Sequence, residues 1–263
     1  MTSHLAKSSL LPSITRTVLN TTKTRASTAF PRQRQPQFTR PFTNTPVTRS
    51  TAKMSTSSLI SLAQNRRTIY KLGKSAPVQD ADSKIEELVN EAILHVPSSF
   101  NTQSTRLVVL LHGEHDKLWD IAIEAFGGLV ESGKVSKEMW ENQTLPKLKG
   151  FQAAYGTVLF FEDPAHIKPF QEKFATFKDH FAPWADHSNA MHQYFLWTGL
   201  EALGFGANLQ HYNPLIDAGV AKQWDLPSEW RLVAQMVFGS PEAGPGEKVQ
   251  KPVEERVKIF GKL

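Results

Sequence analysis

The stretch Pro97-Ser98-Ser99-Phe100-Asn101-Thr102-Gln103 lies between a strongly periodic segment and a strongly apolar one. Upstream, Ile85, Leu88, Val89, Ala92, Ile93 and Val96 recur at three- and four-residue steps, which marks one face of a helix. Ser83 followed by Glu86 reads as a capping box opening that helix. Downstream, Leu107-Val108-Val109-Leu110-Leu111 is expected to form a buried strand. Pro97 ends the helix, and the next residues offer hydroxyls, carboxamides and backbone N–H groups that cannot all be satisfied locally. Two readings fit this loop: an ordinary helix-to-strand turn built from turn-forming residues, or a polar cradle for a rigid, ring-shaped ligand.

Outward from this loop, composition narrows the choices. The chain has 263 residues, 40% of them hydrophobic, enough for a core in one large domain or two small ones. No run approaches about eighteen uninterrupted apolar residues, so no membrane span is expected. Cysteine is absent, which excludes disulfides, thiolate zinc sites, iron–sulfur clusters and cysteine nucleophiles. The formal net charge of +5 is unevenly distributed. Asp80 is the first acidic residue, and 13 of the 30 Lys and Arg precede it. The remaining 17 face 25 Asp and Glu, so residues 80–263 carry −8. A nucleic-acid surface needs clustered basic side chains on the folded face, and that balance argues against one.

Residues 1–53 contain no acid and are rich in Ser, Thr, Arg and Pro, the composition of an organellar transit peptide. A mitochondrial location follows if they are one. The alternatives are a disordered tail or an upstream extension with Met54 as the start, which gives a cytoplasmic protein. In every case they lack the apolar content to join the core, and the expected domain spans 54–263.

From Ser57 to Asn65 a short helix is expected, carrying Arg66 and Arg67 at its end. There the two cations either complement the helix dipole or grip a phosphate. His112-Gly113-Glu114-His115 reads as a turn; it is not His-Glu-x-x-His, and a loop fixes no face for a metal. Asp116 to Phe126 is expected as an amphipathic helix, and Lys134 to Lys149 as surface helix and loop. Ala154 to Phe161 and Arg231 to Gly239 read as buried strands, and Val253 to Phe260 as a last strand. Phe170, Phe174, Phe177 and Phe181 form an aromatic stripe at helical spacing, on a helix running to about Phe181. Ala185 to Leu203 leaves almost no polar face, so that helix is expected to be central or at a subunit interface, with His187 and His192 as satisfied histidines. Gly204 and Gly206 then allow a chain reversal before Gln210-His211-Tyr212-Asn213. Short buried strands alternating with apolar helices argue an α+β fold, a central mixed sheet flanked by helices.

Arg66-Arg67-Thr68, a helix, and Pro97-Ser98-Ser99-Phe100-Asn101-Thr102-Gln103 before a strand together resemble the FMN-dependent nitroreductase family. Gly204-Phe205-Gly206-Ala207-Asn208-Leu209-Gln210-His211-Tyr212-Asn213 is similar to the signature of its fungal and bacterial branch named after a fatty-acid-repression phenotype. The resemblance runs from about Ser58 to the C-terminus. It implies a homodimer with FMN at the interface and ping-pong transfer of electrons from NAD(P)H to a nitroaromatic, quinone or similar small-molecule acceptor. In that case the flavin does the chemistry and no catalytic side chain is required. It implies flavin contacts from Arg66, Arg67 and Thr68, from Ser98, Ser99, Asn101 and Gln103, and from Leu209, Gln210 and His211 near the ring. It also implies a phosphate contact from Lys248 or Lys251, a choice left open. Roles in oxidative stress or lipid signalling fit the branch. The rivals are a flavin-binding regulatory protein of the same fold with little turnover, and a flavin-free interaction module.

Overall fold

A computed structural model describes residues 56–262; the reading of 1–53 falls outside them. In chain order the elements are α1 Thr56–Asn65, β1 Leu72–Gly73, α2 Ala81–His95, β2 Thr105–Leu111, α3 His112–Glu131, α4 Lys137–Met139 and α5 Leu145–Gln152. Then follow β3 Gly156–Glu162, α6 Lys168–Lys173, α7 Phe181–Ala202, β4 Gly206–Gln210, α8 Asp217–Gln223, β5 Arg231–Pro241 and α9 Val253–Arg256. The strand order is β1-β5-β3-β2, with β4 also paired to β5, so β5 is the hub of the α+β fold. All four strand ladders are antiparallel. The mixed character of the sheet rests on one parallel bridge, Thr68 with Ala207.

Two apolar clusters sandwich this sheet, which is how an element with two apolar faces escapes water. One is built around Leu118, Trp119, Leu148 and Ile216 from α3, α5 and the α8 region. The other holds Ile85, Leu196, Leu200 and Phe205, from α2, α7 and the start of β4. β3 is buried along its whole length, as expected of a middle strand, whereas β2 is only half-buried as the edge strand.

Several expectations are corrected. α2 starts at Ala81, two residues before Ser83, and its N-cap Asp80 sits at φ 54° without a side-chain cap. The capping box does not form, and the nearby Asp82 carboxylate instead accepts from the Tyr155 hydroxyl and pairs with His112 Nε2 at 3.0 Å. That hydrogen bond from Tyr155 holds the Asp82 carboxyl below its usual range. His112 to His115 is the first turn of α3 rather than a loop. Its two histidines diverge: His112 faces Asp82, while the buried His115 lies 2.9 Å from Thr157 Oγ1 and 3.0 Å from the Phe151 carbonyl. Among the described residues no group of three His, Cys, Asp or Glu is placed to hold a metal. Nor is any described helix long and apolar enough to cross a membrane.

The aromatic stripe is not on one helix. α6 ends at Lys173, Phe174 leaves helical geometry at ψ 61°, and a 3-10 turn over residues 175–180 leads into α7. The rings still converge, because Phe170, Phe174, Phe181 and Trp184 all pack around Phe100. α7 is not apolar all round on its buried side, where Ser188, Asn189 and His192 alternate with Phe181, Ala185, Leu196 and Leu200. Met191, Tyr194 and Phe195 face outward. Residues 253–260 form the short helix α9 and an exposed tail instead of a last strand. Val253, Val257 and Phe260 are all exposed, and among the described residues no strand pairs with that segment.

The segment after α1 is stitched to β4. The Ile69 N–H donates to the Ala207 carbonyl at 3.0 Å, and the buried Asn208 amide donates to the Ile69 carbonyl at 2.9 Å. Gln210 Nε2 then donates to Asn208 Oδ1 at 2.9 Å. Asn208→Ala leaves two buried polar groups unpaired and is expected to cost about 1–3 kcal/mol, read as a lower urea midpoint at unchanged slope. His115 supplies a pH test, since burial pushes its pKa down from 6.5 to about 4. With the folded pKa depressed, the unfolded chain binds more protons below pH 6.5. Stability is therefore fully present above 6.5 and falls as the pH drops towards 4, by about 3 kcal/mol for this group. Urea melts from pH 7 to 4.5 should show a loss that His115→Gln reduces.

Candidate functional site

The 98–103 loop keeps a backbone that few sequences tolerate. Phe100, Asn101 and Gln103 have φ of 56°, 56° and 49°, each in the left-handed region that disfavours residues with a Cβ by about 1–2 kcal/mol. Such strain persists where the surroundings over-determine it, and here they do. The Asn101 N–H donates to the Ser98 carbonyl at 3.0 Å, and the Gln103 N–H to Ser98 Oγ, also at 3.0 Å. The Ser99 N–H points to Ser188 Oγ on α7 at 3.4 Å. Arg106 Nη1 ties down the Gln103 carbonyl at 2.7 Å, while its Nη2 pairs with Asp163 at 2.9 Å. Phe100 is locked by its ring of aromatic neighbours.

Beside this loop lies a cavity of about 520 Å³, whose walls include Ser98, Asn101, Gln103, Thr105, Arg106 and His192. It takes three of the four expected loop residues. Ser99 does not line it, and its N–H points to Ser188 on α7.

A second cavity, of about 380 Å³, is lined by Arg66, Arg67, Thr68, Tyr70 and the 246–248 segment. Three of its walls are cationic, Arg66, Arg67 and Lys248, against the single acid Glu247. Arg66 Cζ lies 4.5 Å from the centre of the Trp197 ring, and its buried Nε has no partner. Arg67 Nη2 donates to the Gly246 carbonyl at 2.6 Å, which draws the 246–248 segment in beside the pair. An orphaned guanidinium nitrogen among cations fits an anion such as a phosphate. Lys248 lines this cavity and Lys251 does not.

Leu209, Gln210 and His211 sit at the end of β4. Leu209 and Gln210 lie within β4, paired with Met236 and Gln235, and His211 is exposed just beyond the strand. None of the three lines either cavity. The turn expected there is a strand because Gly206 lets Ile69 and Leu72 pack against its backbone: a Cβ at that position would lie 2.9 Å from Leu72 Cδ2.

The two cavities share no lining residue. An apolar groove of about 710 Å³ meets the first of them at Val96 and is lined by Leu59 and Leu62 of α1 and by Met191, Tyr194 and Phe195 of α7. α1 ends at Asn65, next to Arg66. Sequence reasoning missed Ser188, His192 and Trp197, which are now seen to support or line the two cavities. Their signal was the polar residues at 188, 189 and 192, three and four apart inside an otherwise apolar helix.

Comparison with known proteins agrees with this geometry. The model of the Nitroreductase family matches residues 63–240. HBN1 of Saccharomyces cerevisiae is 34% identical over 195 residues, 74% of this chain and 93% of that protein. The nitroreductase FRM2 of the same yeast is 32% identical over 193 residues, 73% of this chain and 93% of its own length. The solved nitroreductase CinD from Lactococcus lactis, in complex with chloramphenicol, superposes with a TM-score of 0.69 at 43% identity, covering 77% of this chain and 99% of CinD. Fold, motif order and relatives converge, and the chain belongs to the nitroreductase family.

Proposed function

We propose that this oxidoreductase is a homodimer that binds FMN and passes electrons from NAD(P)H to nitroaromatic or quinone acceptors in a ping-pong cycle. The observation that carries the reading is the division of the site. The cationic cavity suits a phosphate and the Ser98–Gln103 cavity suits a polar ring, yet they are separate on one chain. The apolar face of α1 and α7 adjoins both. A second copy covering that face by a two-fold axis would bring the cationic cavity of one protomer towards the polar loop of the other, since such an interface is self-complementary.

FMN supplies the redox chemistry, a two-electron carrier between donor and acceptor. The residues of this chain do the remaining work. Arg66, Arg67 and Lys248 hold the phosphate, Arg66 being kept in place by Trp197. Ser98, Asn101 and Gln103 orient the ring, and the strained backbone keeps their groups in one arrangement before the ligand arrives. Phe170 gives the same cavity an apolar aromatic wall that suits a planar acceptor. CinD has been solved with 4-nitrophenol as well as chloramphenicol, two nitroaromatic ligands, which supports that acceptor class.

Purified protein should be yellow and oxidise NAD(P)H in the presence of 4-nitrophenol. A colourless protein that takes up no added FMN contradicts the proposal. Arg66→Ala should weaken FMN about ten- to a hundredfold, because a hydrogen bond to a charged group contributes about 1.5–3 kcal/mol. Riboflavin, which lacks the phosphate, should bind that variant and the parent alike. Ser98→Ala and Asn101→Ala should lose less, about 1 kcal/mol each. Phe195→Glu, on the outward face of α7, should yield a monomer in sedimentation that also releases FMN. A flavin-loaded monomer would refute the shared site.

A further inference from the structure

His192 is 4% exposed, yet its ring forms part of the wall of the Ser98–Arg106 cavity. Nδ1 lies 2.8 Å from the Ser188 backbone carbonyl one turn earlier. A carbonyl oxygen only accepts, so Nδ1 carries a hydrogen and donates it. In the neutral ring this leaves Nε2 as a bare lone pair. No hydrogen-bond donor of the described chain reaches that nitrogen, and it is not among the sealed, unpartnered buried atoms. A nine-tenths-buried ring with one nitrogen fixed to the backbone and the other free at a cavity wall is set up to meet a donor from outside the chain.

The surroundings keep the ring in this form. Burial pushes its pKa below 6.5, so it is neutral at pH 7. Glu162 on β3 is the carboxylate that acts on it in the opposite sense, favouring the charged ring. That carboxylate is bound through Oε1, by Thr105 Oγ1 at 2.8 Å and Asn189 Nδ2 at 2.9 Å, while its buried Oε2 has no partner among the described residues. Arg106 on β2 is committed to Asp163 at 2.9 Å, and His166 lies 3.6 Å from the same carboxylate. α2 contributes Ile93 and Val96 to this cavity, and α6 contributes Phe170. No acidic side chain lines the cavity.

We propose that His192 is a flavin-contacting residue whose Nε2 accepts a hydrogen bond from an N–H or O–H donor of the ligand in this cavity. The inference rests on the flavin reading of that cavity. A flavin offers donors of both kinds, the imide N–H of the ring and the hydroxyls of the ribityl chain. Because only the neutral ring can accept, His192 makes flavin binding depend on pH independently of the phosphate grip.

The test uses the full chain and riboflavin, which carries no titrating phosphate, with binding followed by quenching of flavin fluorescence. Parent affinity should be constant from pH 8 to about 7 and fall below 6.5 as the ring protonates and loses its lone pair. His192→Leu should bind riboflavin about fivefold more weakly at pH 7, the loss of about one neutral hydrogen bond, and show no such pH dependence. His192→Gln, whose amide oxygen can accept, should recover most of the affinity while staying flat with pH. Should His192→Leu fail to fold, the Gln variant and the parent profile decide by themselves. Lumiflavin, which has no ribityl chain, locates the donor. An equal loss with lumiflavin assigns it to the ring imide, and a loss confined to riboflavin assigns it to the hydroxyls. Parent-like affinity and pH profile in both variants would overturn the inference and leave the flavin reading standing. A parent that takes up no flavin at any pH would overturn both.

Discussion

The rotation of α7 about its own axis decides what the rest of the molecule can do. Asn189 sets it, donating from one amide nitrogen to the Phe161 carbonyl at 3.2 Å and to Glu162 Oε1 at 2.9 Å. These groups are wholly buried at the end of β3, where an unpaired carboxylate or carbonyl would carry a penalty of about 1–3 kcal/mol or more. The helix therefore cannot roll without breaking them. With Asn189 pointing in, Ser188 meets the 98–103 loop, His192 meets the cavity, and Trp197 stacks on Arg66. The same rotation turns Met191, Tyr194 and Phe195 outward. One buried polar knot thus fixes a support for each cavity and the orientation of the apolar face beside them.

The loop and its support differ in kind. The loop supplies groups in a strained backbone, and strain of this sort is stable only while neighbours hold it. Those neighbours are of two physical types: directional bonds from Ser98 Oγ, Ser188 and Arg106, and the non-directional packing of Phe100 among four rings. Bonds fix the register of the donors and packing fixes the depth of the loop. A loop held this way presents the same arrangement with or without a ligand, which lowers the ordering cost of binding.

What the sequence showed clearly was whatever depends on local pattern. The periodicity of residues 85–96, the apolar runs that became β2, β3 and β5, and the motif order that named the family could all be read from adjacent residues. What it hid depends on tertiary partners. Ser83 and Glu86 make a sound local capping signal, but Asp82 is drawn to Tyr155 and His112 and the helix begins earlier. Phe170 to Phe181 has helical spacing, yet Phe174 breaks the helix so that the rings can surround Phe100. Residues 253–260 have the β-branched content of a strand but pair with no described strand and stay exposed. Leu209 and Gln210 sit in a glycine-rich stretch that reads as a turn, and pairing with β5 makes it β4. Arg66 and Lys248 could be nominated from resemblance; only the fold shows that they share a cavity and that Lys251 stands apart.

The outward face of α7 has a consequence for the newly made chain. Met191, Tyr194 and Phe195 lie side by side on a surface that the described residues do not cover. Contiguous exposed apolar area is adhesive towards any other apolar surface, including those of unfolded proteins. A newly made copy is therefore at risk of aggregation, and the risk rises with the rate of synthesis and with temperature, as apolar attraction strengthens on warming from the cold. Slow synthesis at low temperature is the condition that suits such a surface.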